Sequence, residues 1–496
     1  MRQALCLPLL VVAAACTTLG PDYEEPEIAW LSDWQSDLYG QITDTEQHNA
    51  LDLRFWWQLF DDPVLNQLIA VARRDNPSLQ IAGLRILESR AALGIAGSTR
   101  YPQLQQIGAA VTGVNSENSG GVVDDRSQSL TAYQADFRIG WELDFWGRFQ
   151  RGIESADAVF LASITSHHDL QVLLSAQVAE LYFNYLTIAQ RIEIARSNAT
   201  RQERSYTITQ QLFTAGQGSE LDLQQAKTQL LATLSTIPEL ESALIQVRNA
   251  LTALLGRPPG EIPELVGMTQ ELPDTDALSI SEIPAQLLLR RPDIRSAAWQ
   301  VAAQSAQIGV AKADYYPAIS LFGSIGWSGD SLSATPDTTQ LAFGPSLSWN
   351  VFDYGRIRNN VRLQDARLQQ TIESFQNSVL LAAREIDDAA IKVVKTAEQQ
   401  EILNQALEAA DRSLDLASTR YREGYADFQR VLDAQRALFS QADRYLVVRG
   451  AHLNAITQLY KALGGGWVDM PVDTIVPEST RQQMRERTQW GELLDE

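Results

Sequence analysis

The chain has 496 residues, with 40 lysines and arginines against 61 aspartates and glutamates, and its net charge is −21. So acidic a chain repels phosphate backbones, which argues against nucleic-acid binding. Two cysteines and four histidines exclude a disulfide framework and leave too few ligands for a thiolate or imidazole metal site. We therefore expect neither a metal nor a redox cofactor.

The N-terminus has the pattern of a secretory signal. Arg2 precedes an apolar run over residues 4–12, which is shorter than the ~20 residues needed to cross a bilayer. Three alanines then precede Cys16, as in bacterial lipoprotein signals, although Ala13 stands where such signals usually carry leucine. We predict a signal peptide of residues 1–15 followed by an acylated Cys16. Ordinary cleavage near the same point is the alternative.

The rest of the chain contains the same pattern twice. Shifts of 215 and then 208 residues superimpose the two copies. The coinciding pairs include Gly94 with Gly309, Tyr101 with Tyr316, Pro102 with Pro317, Trp141 with Trp349, Gly216 with Gly424 and Leu251 with Leu459. A period of about 200 residues is too long for a solenoid unit, so it predicts a duplicated half-molecule with internal pseudo-symmetry.

The duplication sets the predicted domain boundaries. They are a signal peptide (1–15), a lipid-anchored N-terminal arm (16–60), a first repeat (61–260), a linker (261–283), a second repeat (284–466) and a C-terminal tail (467–496). We expect residues 17–51 of the arm and the tail to be extended segments packed on the rest of the molecule.

Each repeat contains two segments in which apolar and polar residues alternate with the period of a β-strand. They are residues 105–114 and 133–144 in the first repeat, and 319–328 and 341–351 in the second. A length of ~10 residues and aromatic residues on the apolar face suit strands that cross an outer membrane. A soluble sheet with one face on a core has the same pattern and is the alternative.

Four strands cannot close a barrel by themselves. An open edge in lipid leaves backbone groups unpaired, at a cost of roughly several kcal/mol for each group. We expect no transmembrane helix after the signal, so the strands must supply the membrane part. A barrel shared between chains follows. Two chains give a barrel of eight strands, whose interior is largely filled by side chains, whereas three chains give twelve strands. A conduit therefore favours three chains.

Long segments without helix breakers follow the strands of each repeat. No proline occurs from Arg148 to Ala215 or from Arg356 to Glu423, and apolar residues recur there at spacings of three and four. A helix of ~65 residues is about 100 Å long. Such helices beside membrane strands in an exported chain predict a helical wall around a water-filled bore. A coiled-coil rod is the alternative.

Three further motifs carry a family resemblance. They are the stretch Cys16–Pro26, the paired turns Asp144–Arg148 and Phe352–Arg356, and the segment Arg420–Arg436. Together with the duplicated layout, they resemble TolC-type outer-membrane factors of the OprM-like lipoprotein branch over nearly the whole mature chain. The resemblance implies an α+β membrane protein. Its homotrimer would have a twelve-stranded outer-membrane β-barrel, four strands per chain, continuous with a long α-helical periplasmic tunnel.

The resemblance also implies a function. The chain would be the outer-membrane channel of a tripartite efflux or export system, anchored by its lipid and conducting small molecules passively. Its partners would be a periplasmic adaptor (membrane-fusion) protein and an inner-membrane pump, often a proton-driven exporter of the RND type. A periplasmic coiled-coil scaffold lipoprotein and the duct of a type I-like secretion system are the alternatives.

The turns between the paired helices are candidate adaptor contacts. They lie at Ala215–Gly218 and Glu423–Ala426, and glycine permits the left-handed conformation of a sharp helix end. By resemblance these turns form the periplasmic tip. The contact candidates are Gly216, Gln217, Gly424 and Tyr425, and a plain turn is the alternative for each.

A second group of residues resembles a gate. Asp222 and Asp433 follow the tip glycines by six and nine residues, ~9 to 14 Å along the returning helices, and match constricting aspartates of the family. In a trimer each forms a ring of three like charges that favours cations. Arg430 departs from the family's acidic pattern and could form a salt-bridge layer with Asp433. Tyr421 and Phe213 could narrow the closed entrance. A solvated helix face is the alternative for all five.

No catalytic residues or enzyme motifs were identified in the sequence, so we expect no enzymatic activity. His167 and His168 are adjacent in a predicted helix, where their side chains point about 100° apart. They therefore do not form a metal-ligand pair on one helix face.

Overall fold

The computed structural model describes most of the chain. The described residues are 18–31, 34, 38–40, 53–116, 128–267, 271–274, 288–330 and 338–494. The predicted acylation site Cys16 lies outside them, as do most residues of the two loops that connect the predicted strands. The chain divides into a first unit (1–27, 86–163 and 296–375) and a second unit (28–85, 164–295 and 376–496).

The four predicted strands form one antiparallel sheet in chain order. They are β1 (Leu104–Ser116), β2 (Gln128–Leu143), β3 (Ala318–Gly329) and β4 (Thr338–Ser348). The second strand begins earlier than predicted. The fourth ends at Ser348 rather than Val351, and just beyond its end the Trp349 indole donates its Nε1 hydrogen to the Tyr315 carbonyl at 3.0 Å.

The sheet is amphipathic. Paired residues form apolar rows across it, and one row consists of Ile107, Phe137, Ile325 and Leu341. Ile107 is 83% exposed and Leu341 is 68% exposed, whereas the alternate positions of β2 carry the ion pair between Asp136 and Arg138. A broad exposed apolar face backed by polar residues is typical of a strand surface that faces lipid.

Two helical hairpins of equal size follow the strands. The α-helices of the described residues are α1 (Pro63–Asp75), α2 (Pro77–Ser98), α3 (Arg148–Thr214), α4 (Glu220–Leu254), α5 (Pro292–Ala313), α6 (Arg356–Arg422), α7 (Phe428–Ala462), α8 (Val472–Ile475) and α9 (Glu478–Arg487). Both α3 and α6 have 67 residues, and both α4 and α7 have 35. The matched lengths agree with the internal repeat.

Helix α3 bears on the expectation that no segment after the signal could form a transmembrane helix. By length and composition it is apolar enough to cross a membrane, but 61% of its most apolar 18-residue window is buried inside the protein. The buried side chains include Val178, Tyr182, Phe183 and Leu186. The apolar character of α3 therefore reflects its place in a helical core.

An aromatic cluster closes the core of the second unit. The 3₁₀ helix Leu53–Phe60 supplies Trp56, which stacks on Tyr460 of α7 at 5.7 Å, and Phe60, whose ring lies 4.7 Å from that of Phe183. Asp62 then caps α1 by accepting from two backbone N–H groups of its first turn, and it also accepts from the Tyr182 hydroxyl at 2.7 Å. The N-terminal arm is thus tied into the helical core.

The C-terminal tail is partly helical rather than extended, since it contains α8 and α9. Gln171 of α3 holds its start: the side-chain amide donates to the Val468 carbonyl and accepts from the Val468 N–H, both at 3.1 Å. His168 stacks on Trp467 at 4.5 Å, with its Nε2 3.1 Å from Asp469. This histidine therefore docks the tail.

Candidate functional site at the helical hairpin ends

Both hairpins end in the same backbone turn. Gly216 and Gly424 have left-handed φ angles of 71° and 78°, and a Cβ on either glycine would meet no atom within 4 Å. The bonds that close the turns run from Gln217 N–H to Leu212 C=O (2.8 Å), Gly216 N–H to Phe213 C=O (3.0 Å), Tyr425 N–H to Arg420 C=O (2.8 Å) and Gly424 N–H to Tyr421 C=O (3.0 Å). In each turn these two bonds form the Schellman motif. Glycine is needed there because of the left-handed backbone conformation, and not because a larger side chain would clash.

The four tip candidates are all exposed. Gly216, Gln217 and Gly424 lie at the surface, and Tyr425 is 81% exposed. Their sequence neighbour Gly218 has a different role that the sequence did not indicate. A Cβ there would lie 3.0 Å from the Leu212 Cβ, so Gly218 allows the chain to pass close to the end of α3.

Asp222 and Arg430 occupy equivalent positions. They are the third residues of α4 and α7, which begin at Glu220 and Phe428. Asp222 is therefore only about 3 Å along its helix axis from the first residue. The predicted height of Asp222 was wrong because the residues between Gly216 and Glu220 are not helical.

Tyr421 and Phe213, although they have equivalent sequence positions, have different surroundings. The Tyr421 ring lies 5.3 Å from that of Phe428, whereas Phe213 is 40% exposed. Burial, and then the charge of Asp222, raises the pKa of the Tyr421 hydroxyl. Tyr421 belongs to a hydrophobic cluster formed with Tyr206, Ala226, Leu414, Ala417, Phe428, Val431 and Leu432. The cluster joins helices of both hairpins, so Tyr421 packs between them.

Asp433 is the sixth residue of α7, and its side chain is exposed. It accepts a hydrogen bond from Gln429 Nε2 at 3.0 Å, and its Oδ1 lies 3.5 Å from Arg436 Nη1. Within one chain, the ion pair of Asp433 is therefore with Arg436, and the salt-bridge layer of Arg430 and Asp433 in the trimer stays a prediction. Arg436 lies one turn further along α7 and faces the acid, as the i, i+3 geometry allows.

Polar bonds link the two hairpins above their ends. Arg436 Nε donates to Gln229 Oε1 of α4, and Gln435 Nε2 donates to Ser205 Oγ of α3 at 3.0 Å. These contacts were not predicted, although Gln435 and Arg436 end the motif Arg420–Arg436. Opening one hairpin away from the other must break these bonds and separate the hydrophobic cluster.

The sheet has an exposed apolar face, and the two repeated helical hairpins carry charged residues at their ends. Together these features define a class of protein, the outer-membrane channel. The family model of the outer membrane efflux proteins matches residues 68–257 and 283–465. The chain therefore belongs to the outer membrane efflux protein family.

Curated relatives are similar over almost their full lengths. The chain is 30% identical over 480 residues to the solvent efflux pump outer membrane protein SrpC of Pseudomonas putida, covering 94% of this chain and 98% of SrpC. It is 28% identical over 479 residues to the probable outer membrane lipoprotein SilC of Salmonella typhimurium, covering 94% of this chain and 99% of SilC.

Solved structures share the fold. The outer-membrane channel OprN is 33% identical with a TM-score of 0.81, over 91% of this chain and 100% of OprN. CusC is 26% identical with a TM-score of 0.78, again over 91% and 100%. The CmeC channel of Campylobacter jejuni is 20% identical with a TM-score of 0.83, over 94% of this chain and 100% of CmeC. At this identity the likeness is one of fold alone.

These likenesses confirm the predicted fold class, a trimeric outer-membrane channel with a helical tunnel to which each chain contributes four strands. They also confirm the predicted location in the outer membrane and the role as the channel component of an efflux system. A channel of this kind works with an adaptor and an inner-membrane pump.

Proposed function

We propose that this channel is the exit duct of a tripartite exporter whose inner-membrane pump is of the RND type and whose adaptor docks on the hairpin ends. The duct conducts small molecules passively and carries out no chemical step of its own. Relatives of similar identity are named for export of solvents, cations and pyoverdine. Because such different cargoes accompany similar ducts, we infer that the pump selects the cargo.

The observation that carries this proposal is the pair of hairpin ends. Each ends in a turn closed by two backbone hydrogen bonds. The glycine and the following residue of each turn are exposed, and the two turns are related by the internal repeat. Three chains therefore present six similar docking turns to an adaptor. Gly216, Gln217, Gly424 and Tyr425 are the proposed contacts. Rigid turns favour docking because little conformational entropy is lost on binding.

The same ends form the proposed gate. In the trimer, Asp222 and Asp433 each form a ring of three carboxylates at the closed aperture, with Arg430, Tyr421 and Phe213 around them. Like charges brought together in a narrow pore repel each other unless cations or water occupy the ring. Tyr421 lies near Asp222 within one chain, because the charge of Asp222 adds to burial in raising the pKa of the Tyr421 hydroxyl.

Cys16 is the proposed site of the lipid anchor. The first described residue, Thr18, packs against Gly147, where a Cβ would lie 2.8 Å from the Thr18 Cα. Leu19 N–H donates to the Trp146 carbonyl at 3.2 Å. Two extended residues span at most about 7 Å. Acyl chains on Cys16 would therefore enter the bilayer beside the turn that follows β2.

Single-channel recording of the purified protein in planar bilayers tests the duct and its gate. We expect wild-type trimers to show small currents and the double variant Asp222→Asn/Asp433→Asn to show larger ones. The matched control is Asp415→Asn, which removes an exposed acid of α6 that pairs with Arg412 at 2.7 Å. A channel without current, or a double variant that behaves like the control, would contradict the duct or the gate respectively.

Adaptor docking needs a separate measurement. Co-purification of the adaptor should be lost when Gln217 and Tyr425 are both replaced by arginine, while the trimer and its current are retained. The control replaces Gln210, an exposed residue of α3 before the turn, by arginine. Retention of the adaptor by the double variant would count against docking at these turns.

A further inference from the structure

A groove of the first unit lies where the end of β2 meets the residues just after α2 and the beginning of α3. Its volume is about 370 Å³, within the usual range of ligand-binding sites, and we call it the girdle groove. Three aromatic residues, Trp141, Phe145 and Phe149, line it together with Arg100 and Thr18. The girdle groove is therefore a largely aromatic concavity that also contains a guanidinium group.

The girdle groove is continuous with the apolar face of the sheet. Trp141 lies on the same face of β2 as Phe137 and Ile139, because side chains alternate along a strand, and it pairs with Leu321 of β3. It is 36% exposed and lies two residues before the end of β2 at Leu143. Tryptophan at the end of a lipid-facing strand is typical of the boundary between hydrocarbon and headgroups. The girdle groove therefore lies at the level of the lipid headgroups.

The charge without a counter-ion in the girdle groove is positive. Asp144 is occupied, since its carboxylate accepts from two N–H groups of the first turn of α3 at 2.8 and 3.1 Å. Glu142 is also occupied, with its Oε1 3.4 Å from Arg148 Nη1. Arg100 is exposed and donates to the neutral Gln150 Oε1 at 3.1 Å. It has no carboxylate partner among the residues that the structure describes.

The internal repeat shows that the groove has a second free donor. We call two residues twins when the repeat shifts of 215 or 208 superimpose them, so Trp349 is the twin of Trp141 and Tyr315 is the twin of Arg100. Trp349 Nε1 donates to the Tyr315 carbonyl at 3.0 Å. The Trp141 indole makes no such bond to Arg100 and has no acceptor in the described part of the chain. Indole nitrogen can only donate, so two donors in this groove lack an acceptor.

We propose that the girdle groove binds the headgroup phosphate of a membrane phospholipid, with Arg100 and the Trp141 indole N–H donating to the phosphate oxygens. A phosphate group accepts both donors, and its bonds to arginine are charge-assisted. The occupant is a lipid rather than a free anion, because the groove continues into the apolar face of the sheet, where acyl chains can lie. The proposal rests on the location in the outer membrane and is independent of the gate and of adaptor docking.

Native mass spectrometry of the purified trimer in detergent tests the proposal. The probe is dioleoylphosphatidylglycerol, and dioleoylglycerol, which has the same acyl chains but no phosphate, is the matched lipid. We expect the phospholipid to bind with one molecule per chain and the diacylglycerol to bind much more weakly. Equal binding of the two lipids would overturn the recognition of a headgroup.

Substitutions locate the site. Arg100→Gln and Trp141→Phe each remove one donor, and the double variant should weaken phospholipid binding by about tenfold or more. Arg100→Lys should retain most of the binding, because it keeps the positive charge. The matched control is Arg422→Gln, since Arg422 ends α6 and also has neutral partners, the Ser418 carbonyl and the Thr419 hydroxyl, both at 3.3 Å. An equal loss in the control would show that binding is not at the girdle groove.

Other occupants give different results. Displacement of the lipid by excess inorganic phosphate would mean that the groove takes a free anion, and the proposal would fail. It would also fail if the phospholipid bound only to Cys16→Ala, secreted with a signal that is not acylated, because the chain's own lipid would then fill the groove in the wild type. A conducting trimer that binds no phospholipid refutes the groove and leaves the channel intact. In a monomer without current the proposed function fails, while the same lipid titration still decides the groove.

Discussion

Asp222 and Arg430 occupy the same place in the two repeats, each as the third residue of a helix that returns from a hairpin end. In the proposed gate, three chains would place three acids and three bases at one level of the assembly. Asp433 would add a further acid on α7. The proposed aperture is then a ring of alternating charge beside a ring of one sign.

This relationship predicts how charge substitutions change ion selectivity. Arg430→Asp should increase the preference for cations, because it converts an alternating ring into six like charges. The measurement is the reversal potential of the purified trimer in a KCl gradient. The exchange Asp222→Arg/Arg430→Asp restores the original charge of the ring and serves as the control. An unchanged reversal potential in Arg430→Asp would mean that these helix starts do not line the aperture.

The left-handed tip glycines predict a local loss of stability on substitution. Gly216→Ala should destabilise the hairpin end by about 1 kcal/mol, because alanine at positive φ places its Cβ near the following carbonyl oxygen. Faster amide exchange at residues 211–220, with the rest of the protein unchanged, is the expected result. Gly152→Ala is the control: Gly152 is helical with open space around it, and alanine there should stabilise slightly.

The periodic elements were predictable from the sequence because each carries its own signal. The strands alternate with period two, and α3 ends at Thr214, one residue before the predicted end at Ala215. The tail was mispredicted because its prolines suggested extended chain. Pro477 instead precedes the first residue of α9, where its fixed φ and missing N–H do no harm.

The candidate site was only partly predictable. The turn glycines follow from local backbone requirements, and the structure has both in the expected conformation. The partner of Asp433 could not be derived in the same way. Contacts such as Arg436 with Gln229 depend on the rotation and axial register of two packed helices, and the three-and-four spacing of one helix does not set these for its neighbour.

The arm that leads to Cys16 predicts a contrast between two twin glycines. A Cβ at Gly309 would lie 2.5 Å from the Leu19 carbonyl oxygen and 2.6 Å from the Arg151 Cγ, whereas one at Gly94 would meet nothing within 4 Å. Gly309→Ala should therefore displace the arm and expose residues 18–23 to limited proteolysis. Gly94→Ala should leave the digestion pattern unchanged. Equal protection of the arm in both variants would show that it does not depend on this close approach.

A partly buried carboxyl in α3, that of Asp169, predicts a pH-dependent contribution to stability. Burial, and then the charge of Asp293, raises the pKa of Asp169 from 3.8 to about 6, although Arg291 and Lys461 oppose the shift and Glu385 adds to it. A raised pKa means that the folded state holds the proton more tightly than the unfolded state. The stabilising contribution of Asp169 is therefore lost as the pH rises from about 4 to about 6, by at most about 3 kcal/mol.

Asp169→Asn removes this titration and isolates its effect. At pH 3, below the unfolded-state pKa of 3.8, the variant and the wild type should unfold at similar temperatures, since the acid is then mostly protonated in both the folded and the unfolded state. Above pH 6 the variant should unfold at a higher temperature, because the wild type then buries a charge and the amide does not. Thermal unfolding in detergent at both pH values measures the difference. Asp157→Asn, an exposed acid of the same helix, should show no such dependence, and a stabilisation of Asp169→Asn that was equal at both pH values would mean that its cause is packing rather than ionisation.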